Sequence, residues 1–213
     1  MMSILQEISE ALQKGRAKVV TELVQKALDD GLKAEDILNE GLLAGMEIVG
    51  TKFKNNDVYV PEVLIAARAM NQGSAILKPA LAESGVKPLG RVILGTVKGD
   101  LHDIGKNLVR MMMEGKGIEV IDIGVDVPPE KFYEAYEKEG AEIIACSALL
   151  TTTMNEMKNV IDYFVEKNAR DKVKFMVGGA PITESFCQSI GADHYAADAA
   201  SAADVAKAAL VGA

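Results

Sequence analysis

Hydrophobic and polar positions follow two rhythms along this chain, one up to about residue 88 and another after it. In the first stretch apolar residues recur every three to four positions, the spacing of an amphipathic helix. Ile4, Leu5, Ile8 and Leu12 share one face, and Gly15 ends that stripe. Val19, Val20, Leu23, Val24, Ala27 and Leu28 form a second, stopped by Gly31, and Ile37, Leu38, Leu42, Met46 and Val49 form a third. Pro61, a residue suited to the first position of a helix, opens a fourth stripe of Leu64, Ile65, Ala67, Met70 and Leu77 that runs as far as Pro79. Four stripes joined by short turns predict a four-helix bundle over 1–88.

The segment from Ala82 to Gly90 carries Gly, Ser and Pro without a stripe and reads as a linker. After it, short apolar runs alternate with single helical stripes. Strands are predicted at Val92–Val97, Glu119–Ile123, Ile143–Ser147, Val173–Val177 and, briefly, Asp193–Ala196. Helices are predicted at about 104–115, 129–139, 153–168, 183–190 and 199–210. This alternation predicts an α/β domain over 89–213 with a parallel sheet, and five such units resemble the doubly wound flavodoxin-like (Rossmann-like) order 2-1-3-4-5. Such sheets hold ligands at their carboxyl edge, at the switch point between the first and third strands.

The loop after the first strand is Gly99-Asp100-Leu101-His102-Asp103-Ile104-Gly105-Lys106-Asn107. It places a histidine two residues after an aspartate and a glycine three residues further on. That arrangement suits a metal-ligating imidazole whose second nitrogen is held by a carboxylate. The competing reading is a loop imidazole hydrogen-bonded for structural reasons. His102 follows the first strand and Ser147 ends the third, so the topology brings these two motifs together in space.

Asp100, His102 and Gly105, followed in order by Ser147-Ala148-Leu149 and Gly178-Gly179-Ala180, resemble the cobalamin-binding signature of corrinoid proteins. Nearly the whole chain is similar to the small methyl-carrying corrinoid proteins that partner methanol, methylamine, betaine and methoxy-aromatic methyltransferases. It is also similar to the cobalamin modules of methionine synthase. The resemblance implies a cobalamin or related corrinoid bound base-off, with His102 as the lower axial ligand of cobalt, Asp100 behind it and Ser147 behind Asp100. It implies corrinoid contacts from Gly99, Leu101, Asp103, Ile104, Gly105, Leu149, Thr151, Gly178 and Gly179, and from the last loop at Tyr195, Ala196 and Ala197. Tyr59, Val60 and Val63 become candidates for a cap over the reactive face; the alternative is a loop packed on its own bundle. The implied partners are a substrate-specific methyltransferase, an acceptor methyltransferase working on tetrahydrofolate or a thiol, and a reductive activator. The chain alone is then not expected to turn over. A sensory corrinoid module and a subunit of an adenosylcobalamin mutase are the alternatives.

Composition narrows this further. A net charge of −8 argues against nucleic acid and against anionic lipid as partners. Trp is absent and aromatic residues are 5%, too few for a base-stacking platform. No apolar run approaches the roughly 20 residues of a spanning helix, and the start shows no basic region leading into an apolar core. Two distant cysteines, Cys146 and Cys187, form neither a disulfide framework nor a zinc pattern, which points to the cytoplasm. His194 reads as a sheet-end residue, and Met111-Met112-Met113 as helix filler.

Overall fold

The computed structural model describes residues 2–212. Backbone contacts divide the chain between Lys87 and Pro88 into a helical unit and an α/β unit, the latter made of Pro88–Glu114 and Ile118 onward.

The helical unit contains α1 (Ile4–Gln13), α2 (Ala17–Asp29), α3 (Ala34–Asp36), α4 (Ala44–Lys54) and α5 (Val60–Ser84). A π-helical stretch, Ile37–Leu43, joins α3 to α4, so the third predicted stripe is a single rod with a widened middle. The predicted stripe residues Ile8, Leu12, Val20, Val24, Ile37, Leu42, Met46, Val49 and Leu77 are all buried. Ser3 caps α1, accepting from the Gln6 backbone while the Gln6 side chain accepts from the Ser3 N–H. Gly41 and Gly45 let the π stretch and α4 lie against Ile8 and Ser9 of α1 at close range.

One expectation fails at Pro79. The helix does not stop there; it runs on to Ser84, and the linker shrinks accordingly. Proline in a helix interior removes one N–H, but Pro79 is solvent-exposed, and the Ser84 hydroxyl donates back to the carbonyls of Ala80 and Leu81 beyond it. At the other end, Val60 precedes Pro61 in the first turn, and the Tyr59 N–H donates to the Glu62 carboxylate at 3.1 Å.

The α/β unit orders β1 (Arg91–Thr96), α6 (Ile104–Glu114), β2 (Glu119–Asp122), α7 (Pro129–Glu139), β3 (Ile143–Ser147), α8 (Glu156–Glu166), β4 (Lys174–Gly178), α9 (Glu184–Ser189), β5 (His194–Ala196) and α10 (Ala199–Val211). All neighbouring strands are parallel, in the order β2-β1-β3-β4-β5. Strands covered on both faces need apolar residues throughout, which is why β1, β3 and β4 read as continuous runs. One face packs Ile93, Val97, Ile144, Cys146, Phe175 and Val177 against Phe132 of α7 and Phe164 of α8. Phe164 meets Phe175 edge to face at 5.1 Å, and each such buried ring contributes about 1.5–3 kcal/mol. Alternation sends Val92, Leu94, Thr96, Ile143, Ala145 and Ser147 to the face covered by α6 and α10. Met112 and Met113 are buried on α6, as core residues.

Candidate functional site

The register of the sheet lines up the predicted motifs. Thr96 pairs with Ser147, Ser147 with Gly178, and Gly178 with Ala196, so four small residues form one row across the carboxyl edge. The loops that follow them belong to adjacent strands. β1 and β3 are neighbours, and the chain turns outward from them in opposite directions, which opens a crevice between their loops.

Asp100 stands at that crevice with no exposed surface. One carboxylate oxygen, Oδ1, accepts from the His102 backbone N–H at 3.0 Å and contacts His102 Nδ1 at 2.6 Å. The other, Oδ2, accepts from the N–H groups of Leu149 at 2.7 Å and Leu150 at 3.3 Å, and from the Thr153 hydroxyl at 2.9 Å. Burial on its own would push this carboxyl up. The bonds from Leu149, from the His102 backbone and ring, and from Thr153 outweigh it and hold Asp100 well below the usual carboxylate range. An ionised carboxylate only accepts, so the proton on the His102 ring sits on Nδ1. In the neutral ring, Nε2 then keeps its lone pair.

This geometry corrects one expectation. Ser147 does not hold Asp100; Thr153 does. Ser147 is the last residue of β3, in register with Thr96, and its side chain stands off the sheet face. Asp100 lies in a loop past the strand end, where only the turn after β3 reaches it. Thr153 is 7% exposed and sits in that turn. Its hydroxyl also lies 3.1 Å from the Leu150 carbonyl. Thr96, fully buried, donates its hydroxyl to the His102 carbonyl at 2.9 Å and anchors the other end of the loop. Neither threonine carries a sequence signal beyond its place near a strand end.

The His102 side chain is 49% exposed. Leu101 and Ile104 are 71% and 79% exposed, and Leu149 and Leu150 are also exposed. Four large aliphatic side chains exposed in the two loops that share Asp100 are the kind of patch that marks a ligand surface. A Cβ added to Gly105 would meet nothing within 4 Å, so there is free space along the first turn of α6. Gly179, in contrast, is needed by the fold: its φ is +132°, and a Cβ there would fall 1.8 Å from the Ala148 carbonyl oxygen. Among the described residues no group of three or more His, Cys, Asp or Glu could hold a metal ion. A metal at His102 must therefore bring most of its own ligands, as a corrin macrocycle does. The donor set and the apolar floor fit that group.

The remaining predicted residues fall in three places. Gly99, Asp103 and Thr151 are exposed in the loops beside His102 and Asp100. Tyr195, Ala196 and Ala197 lie at and just after β5, the far end of the sheet. Tyr59, Val60 and Val63 belong to the helical unit at the start of α5; Tyr59 is exposed, Val60 partly so and Val63 fully buried. His194 begins β5 and is paired in register with Met176. Among the described residues, no helix is long and apolar enough to cross a membrane.

A B12 binding domain family matches residues 90–204, and a second B12 binding domain family matches residues 4–78. A corrinoid protein of Desulfitobacterium hafniense (strain Y51) is 43% identical over 96% of both chains. The dimethylamine corrinoid protein of Methanosarcina barkeri is 44% identical, again over 96% of both. In three dimensions the chain is similar to one in the methanol:cobalamin methyltransferase complex of Methanosarcina barkeri, with a TM-score of 0.89 and 32% identity, covering 99% of this chain and 80% of that one. By sequence and by fold, this chain belongs to the corrinoid proteins built on a B12 binding domain.

Proposed function

We propose that this chain is a methyl carrier that holds a corrinoid on the carboxyl edge of its sheet and serves two methyltransferases in turn. One is specific for a small methylated substrate; the other delivers the methyl group to tetrahydrofolate or a thiol. Cobalt within the macrocycle supplies the position on which the methyl group travels. His102, whose Nδ1 is taken up by Asp100, would hold the cobalt of a base-off corrinoid through Nε2 as its lower ligand. Asp100 keeps the proton on Nδ1 and fixes the ring's orientation. Thr153 and the Leu149 and Leu150 amides hold Asp100 in turn.

Leu101, Ile104, Leu149 and Leu150 form a floor that excludes water from the ligand side. Ser147, Gly178 and Gly179, which share one row of the sheet edge or follow it, would take the cofactor's nucleotide tail, with Tyr195, Ala196 and Ala197 as further contacts. Tyr59 and Val60 are the cap candidates with surface to offer. A reductive activator is the third expected partner. Two buried free thiols suit a reducing cytoplasm.

The observation that carries this reading is the buried Asp100 carboxylate bonded to Nδ1 of a half-exposed His102, in loops that also expose Leu101, Ile104, Leu149 and Leu150. The relatives support it, since they are named as corrinoid proteins and one of them sits in a methyltransferase complex. Electron paramagnetic resonance of the cobalt(II) form tests the ligand: nitrogen splitting from an axial imidazole should be present in the native protein and absent in His102→Ala. Unchanged splitting removes His102 from the role. Demethylation of the loaded protein should require an added methyltransferase, and turnover by the purified chain alone would refute carriage.

A further inference from the structure

The loop that bears His102 is held from outside by one residue the reading above does not use. Beyond β2 the ladder with β1 continues through single bonds: the Thr96 N–H donates to the Gly124 carbonyl at 3.0 Å, and the Val127 N–H donates to the Thr96 carbonyl at 3.0 Å. Val97 and Val127 then form an isolated parallel bridge. Val125 and Asp126 are the two residues between these anchors. Asp126 sits in the left-handed region with φ +53°, uncommon for a residue with a side chain. Its carboxylate accepts from the Gly99 N–H at 2.6 Å, and its own N–H donates to the Asp100 carbonyl at 2.9 Å. Gly99, at φ +79°, and Asp100 are thus gripped on both sides of one peptide link.

We propose that Asp126 is a positioning residue for the imidazole site: it clamps the Gly99-Asp100 backbone from the β2 side and thereby holds Asp100 and His102 ready for the metal. Three observations converge on it. The clamp is reciprocal, with one bond accepted and one donated. It falls on the residue that orients the His102 ring. An unfavourable backbone conformation is kept at that spot, and such conformations cluster where the surrounding structure has a use for them. The remaining restraints on the loop come from other directions: Thr96 holds the His102 carbonyl, the Asp100 N–H donates to Val97, and the β3 turn holds the Asp100 carboxylate. Asp126 is the restraint on the Gly99 N–H.

This inference builds on His102 as the metal ligand, and its test separates the two claims. Asp126→Gly removes the carboxylate but suits a left-handed φ, so the urea midpoint of the cofactor-free protein should be unchanged or higher. Exchange of the Gly99 amide should nevertheless accelerate by about tenfold, as expected for one lost charge-assisted bond. The His102 Nδ1 proton should also exchange faster. Asp126→Asn retains an acceptor without its charge and tolerates this φ, so exchange at both sites should fall between the native and Asp126→Gly rates. After loading with hydroxocobalamin, Asp126→Gly should show a smaller fraction of imidazole-ligated cobalt than wild type, and Asp126→Asn a fraction between the two. Native Gly99 and His102 exchange in Asp126→Gly would overturn the clamp, and so would an Asn variant as loose as the Gly variant. If wild-type protein shows no imidazole ligation, the ligand assignment fails by itself, and the exchange measurements still decide whether Asp126 positions the ring.

Discussion

Replacing Asp100 by Asn tests the centre of the site with almost no change of shape. The carboxylate accepts from five groups: the His102 N–H and ring, the Leu149 and Leu150 amides and the Thr153 hydroxyl. An amide has one oxygen to offer, and the end with three donors claims it. Its NH2 then faces His102, whose backbone N–H has no acceptor left, at a cost of about 1–3 kcal/mol. The bonds that survive lose their charge assistance and roughly half their strength. A loss near 3 kcal/mol follows, small enough against a domain stability of about 5–15 kcal/mol for the variant to stay folded. The ring has an escape that the backbone lacks: it can move its proton to Nε2 and accept from the new NH2 with Nδ1. Urea unfolding of the cofactor-free protein measures the stability, and long-range proton–nitrogen NMR identifies which ring nitrogen is protonated. A loss below about 1 kcal/mol, or a ring still protonated on Nδ1, would refute the reasoning.

Gly179→Ala drives a Cβ to 1.8 Å from the Ala148 carbonyl at a φ of +132°, so a loss of about 3 kcal/mol or more is expected in urea unfolding, and a native midpoint would contradict the packing. Ile104→Asp, on a side chain 79% exposed, should leave cofactor-free stability within about 0.5 kcal/mol, yet weaken cobalamin uptake about tenfold in a spectrophotometric titration. Burial pushes the Cys146 thiol up to about 12 and raises that of Cys187, so both remain protonated at pH 8. A thiol reagent should therefore titrate neither cysteine in native protein and both after denaturation.

The sheet was legible because parallel strands buried on both faces advertise themselves as apolar runs, and their alternation with helices determines the class. His102 and Asp100 were legible because two residues of separation is a local relation that folding does not rearrange. Thr153 was not. Three threonines in succession follow Leu150, and which one turns toward Asp100 depends on the phase of the turn after β3, which no periodicity records. Ser147 misled for the opposite reason: it stands at the right strand end, but the pleat sends its side chain to the sheet face. Pro79 exerted its usual local veto and was overruled by a helix that continues to Ser84. The π-helical stretch from Ile37 to Leu43 left no trace, since an inserted residue in a stripe of Ile37, Leu38 and Leu42 still reads as helical spacing.

The loops after β1 and β3 leave their strands separately, yet one carboxyl group is shared between them, an oxygen for each. A shared hinge-pin of this sort transmits in both directions: a displacement of the ring is felt at Leu149 and Leu150, and pressure on those leucines is felt at the ring. Because these leucines face solvent, a visiting protein that touched only them would sense the state of the buried anion behind them.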